Sequence, residues 1–202
     1  MSESSVLDDA TSYRVARLIT EGLAPWVLVA ALPPLLAFAG DEAVVPRLAW
    51  SLVIVTFCSL IPMGILVGAL RRGKVTDHHV RVREQRPVPL LLGIGSVLVG
   101  LGLMHFGAPR DLRALTWAML AGLVVTTVIT LVWKISVHAA VAAGTVVILV
   151  LVYGPVLHVV WVAALAVAWS RVRLGDHTVA QVLGGLPMGG VVAGTVFAAL
   201  AG

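Results

Sequence analysis

The feature that most constrains this chain is a succession of apolar runs, all but the short fifth and sixth long enough as helices to cross a hydrocarbon layer about 30 Å thick. They lie near residues 20–40, 49–70, 88–106, 112–133, 138–154, 155–169 and 179–201. Of the 202 residues, 59% are hydrophobic and 12% are charged, where soluble chains carry roughly 25% charged residues. No water is present in lipid to satisfy a bare backbone, so spans of this length are expected to be helices. The expected fold is therefore all-α, a polytopic transmembrane helical bundle of about six to seven spans. The fifth and sixth runs meet at Gly154-Pro155, where a turn and a kink are equally arguable. Small residues such as Gly144, Gly185, Gly189 and Gly190 would let helices pack closely.

Residues 1–19 read as a polar, partly disordered tail, and residues 20–202 as one membrane domain without internal repeats. The start is acidic before Arg14 and Arg17 and lacks the short apolar segment and small-residue cleavage site of a signal peptide. A net charge of +4 does not argue for nucleic acid, because the basic residues are too few and too local. The single cysteine, Cys58, excludes an intrachain disulfide and reads as a buried structural thiol.

Three polar islands interrupt the apolar runs, at 71–87, 134–138 and 170–177. Two spans separate the first island from the second, and two short spans separate the second from the third. An even number of crossings returns the chain to the same side, so all three islands would face one side and could converge. That side also holds Arg14, Arg17, Arg71, Arg72, Lys74, Arg81 and Arg83, while Arg47, Arg110 and Arg113 face the other. An excess of basic residues marks the cytoplasmic side. The N-terminus and the islands are thus expected in the cytoplasm, in a multi-pass inner-membrane protein.

The third island, Ser170-Arg171-Val-Arg173-Leu-Gly175-Asp176-His177, is the densest in chemistry. Charge kept between long apolar runs is costly unless it is used. Arginine forks match phosphate oxygens, so Arg171 and Arg173 are candidate phosphate ligands, helped by a helix start near Asp176. His177 would attack phosphorus as a neutral imidazole. Gln181, four residues on, would share its helix face and orient its ring. The second island, Lys134-Ile-Ser136-Val-His138, offers His138 as a general acid and Ser136 as a donor to phosphate. The first adds histidines and arginines ahead of Arg86-Pro87. His78 and His79 are adjacent, would point apart on a helix, and lack the acidic ligands of a metal site. His105 and His158 read as interfacial or packed residues, and the six tryptophans mostly as an interfacial belt.

These residues carry a resemblance to the type 2 phosphatidic acid phosphatase superfamily, spanning roughly residues 49–201. That family's third motif, S-R-x5-H-x3-D, is matched by Ser170, Arg171 and His177, with Gln181 at the aspartate position. Its second, P-S-G-H, corresponds to Ile135-Ser136-Val137-His138, and its first, K-x6-R-P, to His79 followed by Arg86-Pro87. The resemblance implies a phosphohistidine on His177, acid catalysis by His138, and neutralisation of phosphate oxygens by Arg86 and Arg171. It also implies a hydrogen bond from Ser136 to phosphate, and no metal or organic cofactor. The departures are Gln181 for a carboxylate, His79 for a lysine, whose lost charge Lys74, Arg81, Arg83 or Lys134 would restore, and Ile135 and Val137 for proline and glycine.

The expected activity is metal-independent hydrolysis of a lipid or polyprenyl phosphate at the cytoplasmic interface, with membrane lipids as the other partners. The alternative is a protein of the same fold that binds or moves an anionic lipid without cleaving it. A secondary transporter is disfavoured, because no broken-helix pair recurs in two halves. Prenyl or phosphatidyl transfer would need aspartate-rich metal motifs that are absent.

Overall fold

In the computed structural model, residues 3–40, 42–77, 80 and 82–202 are described, with side chains from Asp9 onward. Every regular element among them is helical. The helices are α1 (Glu3–Gly22), α2 (Pro25–Ala37), α3 (Val44–Val55), α4 (Ile61–Arg71), α5 (Pro87–Met104), α6 (Arg110–Val132), α7 (Val137–Tyr153), α8 (Trp161–Arg173) and α9 (Val179–Ala201). Among the described residues, five continuous segments are long and apolar enough to cross a membrane: Val44–Arg71, Arg83–Met104, Arg110–Val132, Pro155–Arg173 and Val179–Ala201. Asp9–Gly22 and Pro25–Ala37 pass the same test only as a pair, bent by 48°, and make a sixth if the pair crosses as one. The shorter α7 packs among them.

The bend has a local cause. Ala24 precedes Pro25 and is extended, with φ −61° and ψ 150°, because the proline ring excludes the helical region for the residue before it. The polar N-terminal segment is not the partly disordered tail expected from its composition. From Glu3 it is helix, and α1 lies against α8, with Thr20 Oγ1 hydrogen-bonded to Ser170 Oγ at 2.8 Å.

A second irregularity joins α3 to α4. Residues Thr56–Leu60 form a π-helical turn, and Ile61 N–H reaches back to Thr56 O. Pro62 follows and has no N–H to give, so Phe57 O loses its i+5 partner. The Ser96 hydroxyl on α5 donates to that carbonyl instead, at 2.6 Å. A buried backbone acceptor in an apolar setting needs such a donor.

The chain turns back at Gly154, whose φ of 94° favours glycine. The six-residue 3₁₀ segment Pro155–Val160 then leads into α8. The Gly154-Pro155 junction is therefore a turn between two antiparallel helices. At that end the chain is clamped by Arg47, buried between the α2 terminus and α6. Its guanidinium donates to Leu36 O at 2.9 Å and Ala37 O at 3.1 Å, and pairs with Asp111 and Glu42. A cation at a helix C-terminus is favourably placed, so Arg47 is structural as well as a charge on the far side.

Helices α7 and α9 approach closely through glycine. A Cβ on Gly189 would fall 2.0 Å from Ala140 O, and one on Gly185 2.7 Å from Ser136 O. Both obstacles are backbone and have little freedom to yield. Gly189→Ala is expected to destabilise the fold by at least about 1–3 kcal/mol, the usual range for overpacking. Thermal melting in detergent checks this, and an unchanged midpoint would refute it.

Candidate functional site

All three polar islands meet at the end of the bundle opposite Arg47. Arg86 Nη1 donates to Ile135 O at 3.0 Å, joining the first island to the second. Lys134 Nζ donates to Asp176 O at 2.8 Å, and Ser136 N–H to Gln181 O at 3.2 Å, joining the second to the third.

The third island is built from two helix caps placed back to back. Helix α8 ends in a left-handed Gly175, φ 70°. Gly175 N–H bonds to Val172 O at 3.0 Å and Asp176 N–H to Arg171 O at 3.1 Å, the paired bonds of a Schellman terminus. This fold-back brings the Asp176 carboxylate onto the Arg171 guanidinium at 2.8 Å, both side chains at most 3% exposed. Helix α9 then opens with Thr178 as its N-cap. Its hydroxyl accepts from Gln181 N–H while Gln181 Oε1 accepts from Thr178 N–H, a capping box.

The box decides the state of His177. Because Gln181 Oε1 faces a backbone N–H, the same oxygen is what His177 Nδ1 meets at 3.1 Å. Nδ1 must then carry the proton, and Nε2 keeps its lone pair. The amide thus performs the tautomer-setting half of a carboxylate's task. Burial, followed by the charges of Arg86 and Arg171, pushes the ring from its ordinary 6.5 down to about 3. Gln181 opposes that shift and Lys134 adds to it. His177 is accordingly a neutral imidazole across the physiological range.

A depressed histidine makes the fold acid-labile. Between about pH 6.5 and 3 the unfolded chain binds a proton that the folded one refuses, so stability is present above 6.5 and falls with pH. At pH 5 the loss amounts to about 2 kcal/mol. Melting of wild type and His177→Gln between pH 7 and 5 reads it, with a shallower slope expected in the variant. Equal slopes would refute the assignment.

His177, His138 and Arg86 line the same cavity of about 310 Å³. They form its polar end, and the remaining wall is largely apolar, including Leu32, Met63, Met119, Leu123 and Ile148. Val80 also lines it, with a φ of 45°. A β-branched residue seldom adopts this conformation. Val80 is tied down by Arg86 Nε, which donates to its carbonyl at 2.8 Å, and by its own N–H to Asp77 O.

Other residues expected at the site fall elsewhere. Arg173 turns away, its Nε donating to Ser12 Oγ at 2.9 Å, its Nη2 pairing with Asp9 and its guanidinium lying 6.0 Å over the Tyr13 ring. It is one turn-half removed from Arg171 and so projects from a different face of α8, toward α1. Ser136 caps α7, with Oγ accepting from Ala139 N–H, and is fully buried outside the cavity lining. Lys134 braces the Asp176 carbonyl. His79 lies outside the described residues. Sequence reading missed Thr178 and the pairing of Asp176 with Arg171. The first was visible as Thr-x-x-Gln, the capping-box spacing, and the second as Gly175 at a helix end. Among the described residues no group of three histidine, cysteine or acidic side chains converges as a metal site.

Compared with protein-family models, with curated proteins and with solved structures, the chain matches none, so the chemistry of the site rests on the residues themselves.

Proposed function

We propose that this chain is a divergent membrane phosphatase resembling the type 2 phosphatidic acid phosphatases, hydrolysing the phosphate monoester or pyrophosphate of a lipid or polyprenyl phosphate. The observation that carries the reading is a neutral, tautomer-fixed His177 beside Arg86 and His138 at the polar end of an apolar cavity. In this reading Nε2 attacks phosphorus, Arg86 in the cavity wall offsets the charge on its equatorial oxygens, and Arg171, buried against Asp176 outside the lining, adds positive potential behind His177. His138 gives a proton to the departing alkoxide and then takes one from the water that cleaves the phosphohistidine. The excess of basic residues on the site side supports a cytoplasmic orientation of this site in an inner membrane.

The second reading is a protein of this kind that binds an anionic lipid without cleaving it. Two observations favour it: Gln181 has no charge to support an imidazolium, and Arg171 is already paired with Asp176. The deciding experiment uses purified, detergent-solubilised protein with a panel of lipid and polyprenyl phosphates in chelator. Phosphate release together with an acid-labile, base-stable phosphoenzyme supports the phosphatase. Retained binding with neither signal supports the binder.

A further inference from the structure

The cavity behind His177 has a shape that says more about its occupant than the polar end does. It extends down the bundle between α2, α4, α5, α6, α7 and α9. Gly122 on α6, ten residues and about 15 Å before the end of that helix, still belongs to its wall. Its volume of about 310 Å³ stands at the low end of the roughly 300–1,000 Å³ of small-molecule sites. A second cavity of about 250 Å³ lies at the opposite end beside Arg110, Trp117 and Leu200, and shares no lining residue with the first. The first is therefore a separate, mostly apolar chamber of limited volume with Arg86 at its polar end.

We propose that this cavity takes a single hydrocarbon chain of a phosphate ester, alkyl or isoprenoid, inserted tail-down past the level of Gly122, and that a lipid with two acyl chains is a poor ligand. The proposal rests on the phosphatase reading for its catalytic readout, but not for its binding readout. Charge complementarity sets the orientation: Arg86 and His177 meet the phosphate, and methionine and aliphatic side chains meet the tail. The π turn contributes Cys58 and Ser59 to the wall, so the chain's single cysteine reports on occupancy.

Gly122 gives the test its specificity. A Cβ built there meets nothing within 4 Å, so a larger side chain projects into open space, and leaving glycine favours an interior helix position. Gly122→Leu should shorten the chamber, and Gly122→Ala serves as the volume control. Phosphate release is measured with butyl, dodecyl and farnesyl phosphates and with a diacyl phosphatidate, all in the same detergent. The expected result is at least tenfold higher kcat/KM for dodecyl and farnesyl phosphate than for the diacyl lipid. Gly122→Leu should also lower the dodecyl-to-butyl ratio at least tenfold, and Gly122→Ala, which adds a single carbon, should lower it less. An unchanged ratio in Gly122→Leu, or equal use of one- and two-chain lipids, would overturn the proposal.

If no substrate releases phosphate, the phosphatase reading fails and the chamber is judged by binding alone. Dodecyl phosphate should then slow maleimide alkylation of Cys58 at least fivefold in wild type and not in Gly122→Leu. Absence of protection in wild type would overturn the single-chain site.

Discussion

Replacing His177 with alanine is expected to lower phosphate release by about 10⁴-fold or more, the scale on which hydrolases lose turnover when their nucleophile is removed. That corresponds to about 5.5 kcal/mol of transition-state stabilisation. The side chain is buried and touches Gln181, so the truncation also frees the capping amide. His177→Gln, closer in volume, controls for packing. Both variants should stay folded by melting and both should fail to form a phosphoenzyme. Residual turnover above one-hundredth of wild type in either would remove His177 from the reaction. Gln181→Asp is the companion variant, since a carboxylate there would keep the tautomer and add charge support for the imidazolium. It is expected to raise the rate of phosphohistidine formation, measured by rapid quench. A fall in that rate would mean that the amide's donor hydrogens matter more than the missing charge.

The second large effect is on stability. Asp176→Ala leaves Arg171 buried after losing the carboxylate 2.8 Å from its guanidinium. Breaking a buried pair from one side costs about 3–5 kcal/mol, because the surviving charge stays out of water. A sharply lower melting temperature in detergent is therefore expected. Millimolar orthophosphate should recover part of the loss, and more in the variant than in wild type, because an oxyanion can take the vacated position beside Arg171. A variant that melts like wild type would show that Arg171 is satisfied without Asp176. Destabilisation that phosphate leaves untouched would show that Arg171 faces the fold and not an anion.

The same pair shows where reading the chain in one dimension stops. Arg171 and Asp176 are five residues apart, and nothing in their spacing says that a Schellman turn will fold one onto the other. The cue was Gly175, which marks a helix end without saying what the end brings together. Arg173 went astray for a related reason. As a basic residue two positions beyond Arg171 it looked like a second phosphate ligand, but on a helix that offset turns it toward another face. Helix α1 supplies Asp9, Ser12 and Tyr13 there. Composition had made α1 a loose tail, because polarity reports exposure and is silent about a docking partner. His177 with Gln181 was legible as a spacing, but His177 precedes the Thr178 cap, and the capping box, not a shared helix face, brings the two together. Thr178, which fixes the amide's orientation, was equally legible as a capping box.

What the sequence determined by itself follows from the solvent. Apolar runs longer than a bilayer's thickness leave the backbone no acceptor but itself, so helices and most of their limits could be read directly. An even number of helices between polar islands then led to the expectation that the islands share one end of the bundle, where they do meet. Tertiary structure alone decided which charges face a common cavity and which are spent on holding helices together. The π turn with its Ser96 donor, the cavity reaching Gly122, the Arg47 clamp and the Arg171–Asp176 pair all join residues distant in sequence or facing in ways that spacing does not specify. Periodicity records which face of a helix is apolar. Which neighbour that face meets is set by packing, and packing is a property of the whole bundle.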